Sequence, residues 1–413
     1  MKPSETAAAA HRSGEHAARE FDPFAWEFHE DPYPTYRWLR DEAPLYHNAR
    51  VGFWALSRYD DVLAGFKDTE HLSSAQGVSL EQSSHADPSE TASFIAMDPP
   101  RHDIMRGLVA RGFTPKRTMD LEPRIRAIAA EHVDRFIERG RCDFIQEFAG
   151  LLPMDVISEM LGVVKQDRDM LRRWADTLLH REDGVTEIPK EGMEAALNLI
   201  VYFQDLVTER KKRRASDLPS ALLDVTIDGQ GLTDKEVISF LFLMVIAGNE
   251  TTTKLLGNAT YWLWKHPEQR ALVRADASLI PAWVEETLRY DPSTQLLARS
   301  VRGDFEFLGQ KLRDGERLVL LIGAANRDER VFANPDVYDV RRDASAHLAF
   351  GKGTHFCMGA SLARLEAKIA LEEVQRRLPD FTIDESKLGR VHSVNVRGFA
   401  SMPIEFTAGS REG

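Results

Sequence analysis

Apolar residues recur at three- and four-residue spacing through much of this chain, the period of helices that bury one face. The pattern predicts a short helix over 34–42, another over 59–66, and further helices over 121–140, 154–162, 168–180, 190–214 and 281–290. A capping box, Thr233-Asp234-Lys235-Glu236, marks a clean helix start. The residues after it (Val237, Ile238, Phe240 to Ile246) are apolar nearly all round, so this helix is expected to run through the protein centre. Period-two stretches are few. Residues 51–57 have strand composition; 305–307 and 317–322 around an Asp314-Gly315 turn read as hairpin strands, and 394–406 as a last hairpin. The expected fold class is mainly α with small β-sheets.

Two segments lack such periodicity. Residues 1–20 are polar and alanine-rich, without the apolar core of a signal peptide, and are expected to be disordered. Residues 69–91 form a long polar loop of the kind that often serves as a lid or binding element. No interior linker or repeat divides the rest, so 21–413 is taken as one domain. The apolar run from 237 to 248 is about 12 residues long, too short to span a bilayer. Within 413 residues the net charge is −12, which argues against nucleic acid as a partner, and the two cysteines fit a reducing cytoplasm.

The core-helix pattern breaks at Ala247-Gly248-Asn249-Glu250-Thr251-Thr252-Thr253. A glycine inside a helix costs about 1 kcal/mol relative to alanine, and a buried carboxylate costs more unless partnered or hydrated. Threonines bonding back to the preceding turn, with Glu250 reaching a polar edge, would explain the break structurally. A functional site would explain it too.

One of the two cysteines, Cys357, lies in His347-Leu348-Ala349-Phe350-Gly351-Lys352-Gly353-Thr354-His355-Phe356-Cys357-Met358-Gly359. The alanine- and leucine-rich stretch 360–371 reads as a helix, which places the sulfur at a helix mouth. There the dipole and unpaired amides are expected to favour thiolate. Gly351 and Gly353 would bend the loop and leave room for a flat, bulky group. Structural zinc lacks its four ligands. Taken alone, such a cysteine is better explained as a buried free thiol, and Cys142 reads as a structural thiol. Other candidates are Asp98-Pro99-Pro100-Arg101-His102 with Arg106, whose two cations share one helical face, and Glu286-x-x-Arg289.

Phe350-Gly351-x-Gly353-x-His355-x-Cys357-x-Gly359, followed by Leu362-Ala363-Arg364-Leu365-Glu366, closely resembles the haem-binding signature of the cytochrome P-450 family. The resemblance extends over roughly 22–408, with Asp-Pro-Pro-x-His-x-x-x-Arg, Ala247-Gly248-x-Glu250-Thr251 and Glu-x-x-Arg in matching order. It implies a triangular-prism fold with a long central helix over haem b, Cys357 as axial iron ligand, and His102, Arg106, Arg299 and His355 on the haem propionates. It further implies space for dioxygen at Ala247 and Gly248, Thr251 hydrogen-bonding to the bound oxygen, and Glu250 delivering protons. Glu286–Arg289 would be a buried structural pair, and 168–180 with 190–214 a mobile roof over the substrate.

The implied activity is monooxygenation of a small hydrophobic substrate by a monomeric cytoplasmic enzyme. Electrons would come from NAD(P)H through ferredoxin reductase and ferredoxin, with Lys352 and Arg364 as candidate docking charges. A peroxide-driven haem-thiolate peroxygenase and a non-enzymatic haem sensor or carrier are the alternatives.

Overall fold

The Thr233 capping box forms as expected: the Thr233 hydroxyl accepts from the Glu236 amide at 3.3 Å, and the Glu236 carboxylate from the Thr233 amide at 2.8 Å. From this cap a single helix, Asp234–Lys265, runs 32 residues. The computed structural model describes residues 19–80, 93–110, 115–227 and 230–412; most of the N-terminal tail and 81–91 of the polar loop lie outside them.

The helices Leu151–Leu161, Arg168–Leu179, Lys190–Lys212, Ile280–Tyr290 and Ala360–Arg377 all pack on this central helix. The largest core cluster sits among them, with Phe148, Leu241, Leu256, Trp283 and Ile369 almost wholly buried. Burying one such side chain contributes about 1.5–3 kcal/mol, which fixes the central helix as scaffold. Close approach matters here: at Gly257 a Cβ would stand 2.8 Å from the Ile145 side chain.

Beside the helices lies a five-stranded sheet in the order Leu45–Asn48, Phe53–Leu56, Arg317–Leu321, Leu296–Val301, Leu72–Ser73. Arg317–Leu321 runs parallel to Phe53–Leu56 and antiparallel to Leu296–Val301. This corrects the expected hairpin: Phe305–Phe307 pairs with Gln310–Leu312 instead. The last hairpin is also corrected, since Phe399–Ser401 pairs with Gly389–Arg390 while Pro403–Glu405 joins Thr382–Ile383 and Arg141–Asp143. Cys142 is buried in that sheet, where burial drives its thiol pKa far up, in keeping with a structural thiol.

The basic run at 210–214 meets carboxylates as well as its helix end: Arg210, Lys211 and Arg214 pair with Asp217, Asp234 and Asp224. No helix among the described residues is long and apolar enough to cross a membrane.

Candidate active site

Cys357 sits three residues before the start of the Ala360–Arg377 helix, and its amide donates to the Phe350 carbonyl at 2.9 Å, closing the loop. Gly351 and Gly353 both have positive φ, 66° and 71°, which glycine adopts without strain. The space beside Gly353 is filled by protein: a Cβ there would lie 2.8 Å from the Phe66 carbonyl oxygen. The loop glycines therefore seat the Tyr59–Lys67 helix rather than leaving open room.

The sulfur is accessible, yet surrounded by protein. Burial raises its thiol pKa, outweighing the Gly359 and Ala360 amides and the Arg106 and Arg364 charges that lower it. The expected net preference for thiolate is thus corrected: the helix mouth helps, but desolvation is larger. A cation bound to the sulfur would reverse this balance.

The four cations named from the sequence converge on one region. His102, fully buried, packs its ring 4.1 Å from that of His355. Its Nδ1 faces Asp103, whereas its Nε2 is buried without a hydrogen-bond partner. Arg299, 4% exposed on Leu296–Val301, has Nη1 on the Ala298 carbonyl, and burial pulls its pKa down to about 10. His355 is pushed down to about 3 by burial and by the charges of His102, Arg299 and Arg106. Arg106 donates to the Phe356 carbonyl at 2.5 Å, beside the cysteine. Two arginines beside two imidazoles, one with an orphaned buried nitrogen, suit a ligand carrying carboxylates.

On the central helix, the Thr251 hydroxyl donates to the Ala247 carbonyl at 2.8 Å, the back-bonding expected of a threonine in a helix. Gly248 does not open space: a Cβ there would stand 3.0 Å from Ile157, so the glycine serves helix packing. Glu250 is 2% exposed. Ala247, Glu250 and Thr251 line a cavity of about 1110 Å³ together with Ile238, Phe242 and Leu297. Both roof helices contribute to its wall through Leu179 and Ile200. From the C-terminal segment the lining comes from Ser393, Asn395 and Val396. Arg397 turns away to Asp291 at 2.8 Å.

Glu286 and Arg289 are both fully buried and joined at 2.7 Å; Arg289 also donates to the carbonyls of Asn326 and Pro335. That is a structural clamp on the segment that leads into the cysteine loop, since Glu286 also accepts from the Asp339 amide.

A family model described as Cytochrome P450 matches residues 46–394. The chain belongs to the cytochrome P450 family. A relative named cytochrome P450 123 from Mycobacterium tuberculosis is 53% identical over 94% of this chain and 97% of its own length. A steroid C26-monooxygenase of the same species is 37% identical over 90% of this chain and 93% of its own. Among solved structures, a P450 of Bacillus megaterium in complex with testosterone superimposes with a TM-score of 0.86 at 33% identity, covering 92% of this chain and 99% of that one. This P450 is therefore an enzyme of the oxidoreductase class, its family's cofactor is haem, and its fold is the family's.

Two residues of this P450's site were not singled out from sequence. Lys254 lies 2.9 Å from Glu250; its i,i+4 spacing was a usable signal. Asp176, on the roof helix, hydrogen-bonds Glu250 from another element, and nothing local in the sequence pairs the two. Arg364, a candidate docking charge from the sequence, bonds to Glu285 at 2.6 and 2.9 Å.

Proposed function

We propose that this P450 is a haem-thiolate monooxygenase that inserts one oxygen atom of O2 into a hydrophobic substrate, with a steroid as the leading class. It would act in the cytoplasm as a monomer, with residues 21–413 as a single catalytic domain. Electrons would come from NAD(P)H through ferredoxin reductase and ferredoxin. The observation that carries this reading is the meeting of two features. A cluster of buried His102 and Arg299 with half-buried Arg106 and His355 lies beside Cys357, while a mostly apolar cavity has Glu250 and Thr251 in its wall.

Cys357 would ligate the haem iron, with its thiolate stabilised by the metal and by the Gly359 and Ala360 amides. His102, Arg106, Arg299 and His355 would hold the propionates. Bound haem supplies the reductive activation of dioxygen. The protein's own tasks are then binding, exclusion of water and proton supply. Ile238, Phe242 and Leu297 offer an apolar wall to the substrate. Thr251 would turn its hydroxyl from the Ala247 carbonyl toward the cavity, and Glu250 would pass on the proton to be delivered. The steroid reading is supported by the cavity's volume and by the relatives named for steroid oxidation.

The test is Thr251→Ala with reconstituted ferredoxin partners. Oxygen consumption should persist while product falls and hydrogen peroxide is released. Unchanged product yield would overturn the proton route. Product formation from hydrogen peroxide alone would favour a peroxygenase, and a carbonyl adduct without the red-shifted Soret band would remove the thiolate reading. Spin-state titration with testosterone and with long-chain fatty acids separates the substrate classes.

A further inference from the structure

Glu250 is nearly sealed from solvent, yet a proton donor inside an active site must be recharged from water. Its carboxylate has three neighbours. Lys254 Nζ lies at 2.9 Å, Asn249 Nδ2 at 3.3 Å, and the Asp176 carboxyl makes a hydrogen bond to it from the roof helix Arg168–Leu179. Two carboxyl groups bond to one another only when one carries a proton, since an ionised carboxylate is acceptor-only. The side chain of Asp176 is 39% exposed, against 3% for Glu250. The pair thus spans from bulk water to the cavity wall.

We propose that Asp176 is the proton inlet of this active site, passing protons from solvent to Glu250 across their shared hydrogen bond. The inference rests on the monooxygenase reading above and adds the entry point. In each passage the Asp176 O–H bond breaks and its proton goes to a Glu250 oxygen, leaving Asp176 as carboxylate. Water reprotonates Asp176 on its exposed side, and Glu250 releases its proton on the cavity side next to Thr251. Each passage takes up one proton from solvent and releases one to the cavity, and the pair returns to its single negative charge.

The charges facing the pair set which member holds the proton at rest. From the central helix, Lys254 lies against Glu250. From Asp176's own helix, Arg172 approaches at 3.5 Å, itself tied to Gln146 at 3.1 Å. Burial, with the Glu250 hydrogen bond and charge, lifts Asp176 to about 8. Lys254 and that same bond hold Glu250 below the usual carboxylate range despite burial. At neutral pH the proton therefore rests on Asp176, the member in touch with water. The stem of Lys254 is accommodated by Gly398, where a Cβ would stand 2.6 Å from the Lys254 Cβ.

Infrared titration of the purified holoenzyme tests the resting state, and coupling efficiency tests the inlet. A protonated-carboxyl C=O band should disappear as pH rises through about 8 and be missing from Asp176→Asn. Glu366, buried beside Thr252 and raised well above the usual range, should give a band that stays in both proteins. Asp176→Asn keeps a hydrogen-bond donor toward Glu250, so substrate affinity by spin-state titration should be unchanged. Product per oxygen should fall at least fivefold with a matching rise in peroxide, and Asp176→Glu should restore at least half. Wild-type coupling in Asp176→Asn overturns the inlet while leaving the monooxygenase reading intact. A native enzyme without the titrating band overturns it as well. Absence of the thiolate-type carbonyl adduct sinks both readings.

Discussion

The ammonium of Lys254 lies 2.9 Å from a carboxylate oxygen of Glu250, one turn back along the same helix, with side chains 4% and 3% exposed. Desolvating two charges is costly, and their attraction offsets that cost only while both are present. Lys254→Met should therefore strip Glu250 of its ion-pair partner and lower stability by up to about 3–5 kcal/mol near pH 8. In the native protein the depressed Glu250 pKa contributes stability above the unfolded carboxylate value, lost as pH falls through the folded one. In the variant, Glu250 can escape by taking up a proton. The gap between the two proteins should shrink toward about pH 5, and urea denaturation at the two pH values measures it.

Glu285 is another carboxylate whose partners come from distant segments. Burial would raise its pKa, but His347 at 3.1 Å and Arg364 at 2.6 Å hold it down to about 2. A depressed carboxylate stabilises the fold above its unfolded pKa and loses that contribution as pH falls through the folded value. Glu285→Gln should cost about 2–3 kcal/mol at neutral pH. Its deficit against the native protein should close between the model carboxylate value of 4.5 and about 2. Thermal melts across that range, read by circular dichroism, decide the matter. A deficit independent of pH would show that packing, not charge, holds the cysteine loop to the Ile280–Tyr290 helix.

How much of this was readable in advance follows from where each signal is stored. The helices were legible because a helix writes its buried face and its cap into consecutive residues, as at Thr233 and Glu236. The cysteine loop was legible because its function needs a linear run of residues. Strand partners were not: the period of two around Val319 tells which side is buried, but not that Arg317–Leu321 would lie parallel to Phe53–Leu56, some 260 positions away. The balance at Cys357 was also hidden. The favourable amides are local, while the opposing desolvation comes from the packed surround. Lys254 could have been found at i+4 from Glu250, whereas Asp176 becomes its neighbour only through helix packing.

The close seat of the cysteine loop on the Tyr59–Lys67 helix makes Gly353 sensitive for two reasons. Its φ of 71° disfavours any side chain, and a Cβ would meet the Phe66 carbonyl at 2.8 Å, where backbone cannot swing aside. Gly353→Ala should lower stability by about 1–3 kcal/mol. Gly52→Ala is the control for backbone strain alone, since its φ is 83° with open space around it. Denaturation midpoints of the two variants should differ, with Gly353→Ala the lower. Equal midpoints would mean that the helix shifts without penalty.

The roof over the cavity is tied at its joint by the N-terminal segment. The Gly184 amide donates to the Phe24 carbonyl at 3.1 Å, the Trp26 amide to Asp183 at 2.9 Å, and the Trp26 indole N–H to the Arg181 carbonyl at 3.3 Å. The Trp26 ring also stacks on His392, 3.9 Å between centroids, and the Arg181 amide donates to the His392 carbonyl. If ligand leaves by separation of this joint, each bond broken adds to the opening cost, at about 1 kcal/mol for a neutral hydrogen bond. Trp26→Phe removes the indole bond but keeps an aromatic ring on His392 and both backbone amides. It should speed ligand dissociation about fivefold while leaving the bound spectrum unchanged. Stopped-flow displacement of a spin-shifting ligand measures this. An unchanged dissociation rate would mean that ligand escapes without parting the N-terminal segment from the roof.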